Sequence, residues 1–393
     1  MKAKKLFFFL IILSIAKNSI AKEKVTIVPG AYHTAEYFPL LKGKSLGIVA
    51  NQTSTIRRVH LVDSLKSSGF KIKRVFAPEH GFRGESGAGE KVANSIDKKT
   101  GIPIVSLYGN HLEPTAKDLA GINLMIFDIQ DVGVRFYTYI STLQYVMEAC
   151  AKHKIPLIIL DRPNPNSFYI DGPVLDKKYS SFVGMQSIPV VYGLTIGEYA
   201  GMLNGEGWLK DSLKCNLTVI KVKDYFHSYR YQLPIPPSPN LPDMDAVYLY
   251  PSLCFFEGTA ISVGRGTEKP FRYIGFPDTT SGGFLFTPRS IPGVAMHPPY
   301  EDTLCRGFDL TKEGMRSTLQ KSLQLKWLIQ MYSVFPEKEK FFNKFFDKLA
   351  GTDELRKQII ENKSEADIKK QWQESVDNYL QIRKKYLLYY DYK

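Results

Sequence analysis

The feature that most constrains the fold of this chain is a series of short Ile, Leu, Val and Phe runs with little polar alternation. Segments with a helical spacing of apolar residues separate these runs, which occupy residues 45–50, 71–77, 102–108, 123–129, 155–161 and 216–222. Runs of this kind are typical of parallel strands that are buried on both faces of a sheet. The pattern therefore predicts an α/β fold with a doubly wound, mostly parallel sheet.

A Pro-rich segment, residues 233–242, interrupts this pattern and reads as a linker or an ordered crossing between domains. Short strands follow it, and amphipathic helices then extend from about residue 312 to residue 389. We therefore expect a Rossmann-like domain over residues 22–240. A C-terminal α+β ancillary domain over residues 241–393, ending in long helices, is expected to complete the chain.

The first residues have the composition of a secretory signal. Lys2, Lys4 and Lys5 precede the apolar run "LFFFLIILSIA", and Ser19-Ile20-Ala21 supplies the small residues that a signal peptidase reads. Residues 1–21 are therefore predicted to be a cleaved signal peptide, with an uncleaved anchor as the alternative. We expect a secreted protein, periplasmic or extracellular, without stable membrane insertion after cleavage.

The chain is basic, with a net charge of +13, and it stays basic after the four lysines of residues 1–21 are removed. In a secreted protein this charge favours an anionic wall polymer or a membrane surface as partner. No basic and aromatic nucleic-acid module is visible, so no nucleic-acid partner is expected. The cysteines have neither CxxC nor His-flanked zinc spacing, and Cys150, within "YVMEACA", is expected in the core.

Polar side chains follow several of the predicted strands at the point where each strand ends. They are Asn51, Glu79, His80, Arg83, Asp128, Asp131, Asp161 and Asn164. Because ligands bind outside the carboxyl ends of the strands in open α/β sheets, we expect these clusters to converge on one site. The alternative for each residue is a cap on the helix that follows.

The stretch "FDIQDVGVRFYTYISTL" adds aromatic and charged side chains to this half of the chain. Asp131 and Arg135 are expected to pair, whereas Tyr137 and Tyr139 offer ring faces and hydroxyls to a sugar. The same aromatic rings could instead fill a seam between a helix and the sheet.

A second stretch, "EGTAISVGRGTE", concentrates Glu257, Arg265 and Thr267 among glycines. Glycine lets backbone approach a ligand closely, although glycine-rich turns are also common connections between elements. These three residues are therefore further candidates for the site.

Absent motifs narrow the chemistry. No GxGxxG opens a helix after the first strand, and neither GxxxxGK[ST] nor GxSxG occurs, so we expect no dinucleotide cofactor and no phosphate-loop or serine-hydrolase chemistry. A metal site built from His80, Asp128 and His111 stays an alternative, but without HExxH or paired histidines we expect no metal. Carboxylates, aromatic residues and arginines remain, which are the groups that break a glycosidic bond.

Five motifs taken together, "FAPEHGFRGE", "FDIQDVGVRFYTY", "LDRPNP", "EGTAISVGRGT" and the ending "LAGTDELRKQI…W…RKKYLLY", resemble one family in order over nearly the whole chain after residue 21. The chain resembles the exo-β-N-acetylmuramidases of the NamZ type, formerly a domain family of unknown function. The resemblance implies a Rossmann-like catalytic domain, an ancillary domain and an active site between them. One departure is Ala260, where the family has Asn, and it bears on substrate specificity.

The resemblance implies a secreted glycosidase of peptidoglycan recycling that removes β-1,4-linked N-acetylmuramic acid from non-reducing ends, with peptidoglycan fragments as partners. Its catalytic acid corresponds to Glu79, and His80 is expected to hydrogen-bond Glu79 or the substrate. Asp131 and Glu257 are candidates for the second catalytic group, unless a tyrosine or the substrate's own acetamido group serves. The substrate's lactyl carboxylate needs a cation, and the candidates are Arg83, Arg135 and Arg265.

Two other functions stay open at this point. One is a peptidoglycan amidase or another metal-assisted hydrolase. The other is a non-catalytic protein that binds muropeptides.

Overall fold

The structure is a computed structural model that describes residues 26–84, 94–277 and 281–392. The predicted signal peptide, residues 1–21, lies outside the described residues. Within them, no helix combines the length and the apolar character that crossing a membrane requires.

Twelve strands occur in the described residues. They are β1 (Ser45–Ala50), β2 (Thr55–Ile56), β3 (Val59–His60), β4 (Lys71–Ala77), β5 (Ser95–Ile96), β6 (Pro103–Ser106), β7 (Leu124–Asp128), β8 (Leu157–Leu160), β9 (Leu217–Ile220), β10 (Tyr273–Phe276), β11 (Phe284–Phe286) and β12 (Cys305–Asp309).

Seven of these strands form the central sheet in the order β5-β6-β4-β1-β7-β8-β9. All neighbours run parallel except β5, which pairs antiparallel with β6 at one edge. Counted along the chain, the six parallel strands have the order 3-2-1-4-5-6 of the Rossmann fold. The mostly parallel, doubly wound sheet expected from the sequence is confirmed.

Side chains of the central strands alternate between two separate cores, one on each face of the sheet. Ile48 and Ile126 lie in one core, whereas their neighbours Val49 and Phe127 lie in the other, and all four are fully buried. Since neither face meets water, both sets of positions have to be apolar. This explains why the sequence shows apolar runs rather than alternation.

Twelve α-helices occur in the same part of the chain. They are α1 (Thr34–Leu41), α2 (Leu61–Ser67), α3 (Ala116–Leu119), α4 (Tyr139–Lys152), α5 (Ile196–Gly205), α6 (Met244–Leu253), α7 (Glu313–Gln320), α8 (Lys326–Val334), α9 (Lys338–Phe341), α10 (Phe346–Ala350), α11 (Glu354–Ile360) and α12 (Glu365–Arg383).

Helix ends follow local hydrogen bonding. Thr115 and Thr195 each form a capping box with the acidic residue three positions later, which fixes the starts of α3 and α5. Helix α2 starts at Leu61, because the hairpin of β2 and β3 occupies the preceding residues and His60 caps the helix. Cys150, in α4, is a buried free thiol, as expected.

The C-terminal part combines a three-stranded antiparallel sheet, in the order β10-β12-β11, with helices α7 to α12. Helix α12 has 19 residues and packs back on the first half of the chain. There, Tyr379 Oη donates to the Tyr192 carbonyl at 2.7 Å, and the Arg383 guanidinium donates to the Gly193 carbonyl. The core that contains Val49 therefore continues into these helices.

Candidate active site

The strand order places a topological switch point between the neighbouring strands β1 and β7. The chain continues from β1 to β4 on one side of this point and from β7 to β8 on the other. The carboxyl ends of the strands around this point carry Asn51, Glu79, Asp128 and Asp161. Open α/β sheets bind ligands in the crevice beyond such strand ends. The site predicted from the sequence therefore begins at this edge.

Glu79 follows β4 at the start of a tight turn. The Gly81 amide donates to the Pro78 carbonyl at 3.1 Å, and His80 and Gly81 both have positive φ, 70° and 78°. Positive φ is uncommon for a residue with a Cβ, so the turn holds His80 in a conformation that favours glycine. The backbone therefore turns back just after Glu79 and leaves its side chain at the strand end.

Two hydroxyl groups hold the Glu79 carboxylate. Tyr108 Oη donates to Oε1 at 3.0 Å, and Thr138 Oγ1 donates to Oε2 at 3.3 Å. Tyr108 comes just after β6, and Thr138 is the residue before α4, so two neighbouring elements orient one carboxylate. Glu79 itself is only partly buried, which leaves it accessible from the cleft.

A cavity of about 230 Å³ lies in front of Glu79. Six residues predicted for the site line it: Glu79, His80, Tyr137, Tyr139, Glu257 and Arg265. Much of the remaining wall is apolar or aromatic, through Phe136, Phe182, Val183, Leu241, Tyr250, Phe271, Phe345 and Leu349. The two halves of the sequence therefore meet in one cavity that is lined by aromatic, apolar and charged side chains.

Glu257 and Arg265 form the charged pair contributed by the second half. Glu257 lies in a short 3-10 helix, Cys254–Gly258, and its Oε1 accepts from Arg265 Nε at 2.6 Å. The Arg265 guanidinium also lies over the Phe271 ring, 5.1 Å from its centroid. Burial opposes the charge of Arg265, but the Glu257 carboxylate outweighs burial, so the pKa of Arg265 is raised.

A second cavity, of about 510 Å³, adjoins the first. Both cavities are lined by Glu79, Tyr108, Glu257 and Arg265, and residues 294–299 form the rest of the second one. The two carboxylates and the arginine therefore stand where one cavity passes into the other.

The hydroxyl groups of Tyr137 and Tyr139, which were predicted for the site, form hydrogen bonds with other groups of the protein. Tyr137 Oη donates to the Pro237 carbonyl at 2.8 Å, and Tyr139 Oη accepts from Asn51 Nδ2 at 2.9 Å. Asn51 is fully buried, does not line the cavity and is linked to it through Tyr139. The tyrosines thus line the cavity, while their hydroxyls fix the Pro-rich segment and the strand end.

Asp131 and Arg135 do not form the expected ion pair, and neither lines the cavity. Asp131 Oδ2 accepts from the Gly133 amide at 2.6 Å and from the Tyr192 hydroxyl, and burial raises the pKa of Asp131 to about 6. The Arg135 guanidinium donates instead to four backbone carbonyls, those of Pro173, Ile188, Leu349 and Ala350. Burial lowers the pKa of Arg135 to about 9. Asp131 and Arg135 are therefore bonded within the protein interior and have structural roles.

Three further predicted residues also lie outside the cavity. Asn164 is buried and donates to the Leu194 carbonyl at 2.8 Å. Arg83 binds Asp97 through two hydrogen bonds of 2.9 and 2.8 Å, which raises the pKa of Arg83. Thr267 Oγ1 donates to the Gly264 carbonyl at 2.6 Å and closes a turn.

Ala260, which departs from the family motif, forms two hydrogen bonds through its backbone. Its amide donates to the Phe341 carbonyl at 2.8 Å, and its carbonyl accepts from Tyr300 Oη at 2.5 Å. Ala260 does not line either of the two cavities.

Sequence reasoning missed Tyr108, Ser238, Asn240 and Tyr250, which all line the first cavity. The Pro-rich segment is an ordered crossing, and it supplies Ser238 and Asn240 as part of the cavity wall. Tyr108 was visible in the sequence as a polar group that ends an apolar run, the same signal that identified Glu79. Tyr250 had no such signal, because it lies within the apolar helix α6.

Comparisons with known proteins agree with this architecture. Residues 46–245 match the N-terminal family model of exo-β-N-acetylmuramidase NamZ, and residues 248–389 match its C-terminal model. The chain is 38% identical over 404 residues to the peptidoglycan β-N-acetylmuramidase NamZ of Bacillus subtilis (strain 168), covering 95% of this chain and 94% of that protein.

Two crystal structures of DUF1343 family proteins from Bacteroides fragilis NCTC 9343 are also similar. One has a TM-score of 0.87 and 46% identity, and the other has a TM-score of 0.75 and 28% identity. Each alignment covers 93% of this chain and 100% of the solved chain. The chain therefore belongs to the NamZ exo-β-N-acetylmuramidase family of glycoside hydrolases.

Proposed function

We propose that this chain is a secreted exo-β-N-acetylmuramidase that hydrolyses β-1,4-linked N-acetylmuramic acid from the non-reducing ends of peptidoglycan fragments. Glu79 acts as general acid/base. Family membership supports the reaction class, and the sequence of residues 1–21 supports secretion to the periplasm or the exterior. The observation that carries the proposal is that Glu79 and Glu257 line both cavities at the point where these meet.

This arrangement suits removal of a terminal sugar. The first cavity, at about 230 Å³, is smaller than the roughly 300–1,000 Å³ typical of ligand pockets, and its aromatic sides suit a single sugar ring. The larger second cavity has room for the remainder of the fragment. The glycosidic bond between the two would then lie beside Glu79 and Glu257.

Glu79 is the group that protonates the leaving oxygen in this proposal. A general acid must be held within hydrogen-bond reach of the atom that it protonates, and Tyr108 and Thr138 fix the carboxyl group from two sides. Glu257 is the second carboxylate in the cleft and the candidate partner of Glu79.

Arg265 is proposed to bind the lactyl carboxylate of the substrate. Of the three arginines that the sequence offered, Arg83 is engaged by Asp97 and Arg135 by backbone carbonyls, whereas Arg265 lines both cavities. Its Nε contact with Glu257 holds the planar guanidinium in place, which suits recognition of a second carboxylate.

Mass spectrometry of products tests the reaction. The protein without residues 1–21 is incubated with the disaccharide in which N-acetylmuramic acid is β-1,4-linked to N-acetylglucosamine, with and without a chelator. Free monosaccharides under both conditions are expected. An intact disaccharide that is nevertheless bound would favour a muropeptide-binding protein, and activity that a chelator abolishes and zinc restores would favour a metal-assisted hydrolase.

A further inference from the structure

A further cavity, of about 230 Å³, is lined by residues of α11, of α12 and of the segment that follows β8. This α11–α12 cavity shares no lining residue with the two cavities beside Glu79. It has the same volume as the first of them, which suits a single sugar ring. Its lining includes Asp176, Glu354, Gln358 and Trp372.

Gln358 gives the α11–α12 cavity a polar group that the fold does not use. Gln358 lines the cavity and is only 6% exposed. Its side-chain amide has no hydrogen-bond partner among the described residues, yet both polar atoms of the amide keep some accessible surface. An enclosed amide without partners is unfavourable, so this side chain marks a place where a ligand supplies the hydrogen bonds.

Trp372 adds a fixed aromatic ring to the same cavity. Its Nε1 donates to Asp171 Oδ1 at 2.8 Å, so the indole has no further donor and offers only apolar ring surface. An aromatic ring packs against the C–H groups of a sugar, while amide and carboxylate side chains bind the hydroxyls. The lining therefore has the groups that bind a sugar.

The charge of the lining distinguishes between the two sugars of peptidoglycan. Asp176 and Glu354 line the cavity, whereas no Lys, Arg or His in the described part of the chain does so. Lys178 and Lys357 pair with these carboxylates at 3.2 and 3.0 Å, but exposed pairs of this kind are weak. The lining therefore disfavours the lactyl carboxylate of N-acetylmuramic acid and favours the uncharged N-acetylglucosamine unit.

We propose that the α11–α12 cavity binds an N-acetylglucosamine unit of a glycan chain outside the catalytic cleft. The choice of this sugar rests on the proposed function, which takes peptidoglycan glycan as the substrate. A sugar hydroxyl both donates and accepts, so it satisfies the Gln358 amide whichever way the amide is turned. A glycan chain that is held at this second place stays close to the catalytic cleft.

The Trp372 indole signal in a ¹H–¹⁵N NMR spectrum tests this binding. The chain has three tryptophans, and Trp372→Phe identifies the signal. The Glu79→Gln protein without residues 1–21 is titrated with the methyl β-glycoside of N-acetylglucosamine and, separately, with that of N-acetylmuramic acid. We expect the neutral glycoside to shift the Trp372 signal in a saturable manner. The anionic glycoside should bind there roughly three- to fivefold more weakly.

Gln358→Leu in the same background should weaken binding of the neutral glycoside at least about fivefold, because its hydroxyls lose their partner. Leucine replaces an amide without a protein partner, so urea unfolding should show unchanged or higher stability. Gln373→Leu on α12 is the matched control: Gln373 does not line the cavity, and its Nε2 donates to Asp377 at 2.9 Å. This control should bind the neutral glycoside like the parent protein.

The inference and the proposed function fail in different ways. An unmoved Trp372 signal, equal binding of the two glycosides, or full binding by the Gln358→Leu protein would overturn the inference alone. The protein with an intact Glu79 should cleave the disaccharide equally well with and without Gln358→Leu. Absence of cleavage in both would instead contradict the proposed function, whatever the titration shows.

Discussion

At the scale of single residues, the proposed chemistry depends on side chains that the two halves of the sequence contribute to one boundary. Glu79 and Tyr108 come from strand ends of the central sheet, whereas Glu257 and Arg265 come from the second half. Glu257 raises the pKa of Arg265 and orients its guanidinium, and Tyr108 orients Glu79. The Glu79 carboxylate is therefore positioned by a neutral hydroxyl, and the Glu257 carboxylate by a guanidinium.

Arg265→Gln tests recognition of the lactyl carboxylate. Charge-assisted hydrogen bonds contribute about 1.5–3 kcal/mol, so kcat/KM for a chromogenic β-N-acetylmuraminide should fall roughly 10- to 100-fold. The matching N-acetylglucosaminide has no lactyl group, so any hydrolysis of it should change much less. Equal losses on the two substrates would assign Arg265 to holding Glu257 rather than the substrate.

At the scale of elements, the segment from Pro236 to Asn240 is the least expected part of the site. It is tied to the sheet edge by Tyr137 and by Gln52 Nε2, which donates to the Pro237 carbonyl at 3.1 Å. A segment without regular structure gains its rigidity from such bonds and from proline. The cavity wall therefore depends on a tyrosine that precedes α4.

Tyr137→Phe should lower the free energy of unfolding by about 1 kcal/mol and raise KM several-fold, because the segment loses one anchor. Tyr37→Phe is the matched control: Tyr37 Oη donates to the Ala31 carbonyl at 2.9 Å in the core on the other face of the sheet. It should cost similar stability and leave KM unchanged. A normal KM in Tyr137→Phe, measured with a chromogenic substrate, would contradict this role.

Some parts of the fold and of the site were predictable from the sequence, whereas others depend on long-range contacts. Apolar runs predicted the sheet, and the polar group after a run located Glu79, because strand ends of a parallel sheet share one edge. Arg135, which was predicted from the charged and aromatic stretch after β7, is instead bonded to carbonyls that lie up to 215 positions away in the chain. The position of Asn240 in the cavity wall could not be predicted from the sequence either. It depends on folding, which brings a Pro-rich segment to the strand ends.

At the scale of the whole molecule, buried polar residues join the two halves. Arg135 binds the carbonyls of Leu349 and Ala350 in α10, while Trp372 Nε1 in α12 donates to Asp171 at 2.8 Å. Asp131 is also buried, with one carboxylate oxygen bonded and the other, Oδ1, without a partner among the described residues. Burial of such groups makes the stability of the fold depend on pH.

Asp131→Asn tests this dependence. The pKa of Asp131 is raised in the folded protein to about 6, above the roughly 3.9 of an unfolded chain. Its contribution to stability is therefore fully present below about pH 4 and is lost as the pH rises through 6. The free energy of unfolding of the wild type, relative to that of the variant, should fall by about 2–3 kcal/mol between pH 4 and pH 7.

Urea unfolding of both proteins across this pH range measures the difference. A wild-type advantage that grows with pH would show that Asp131 is stabilised as a carboxylate and would contradict a raised pKa of Asp131.

Glu79→Gln, assayed on two substrates with different leaving groups, tests whether Glu79 is the general acid. The disaccharide requires protonation of its leaving oxygen, whereas a 2,4-dinitrophenyl β-N-acetylmuraminide does not. We predict that kcat/KM falls by roughly 10²- to 10⁴-fold on the disaccharide and by less than about tenfold on the dinitrophenyl substrate. Glu36→Gln, at an exposed ion pair with Lys223, is the control and should be active on both. Equal losses on the two substrates, or near wild-type turnover of the disaccharide by Glu79→Gln, would contradict the assignment.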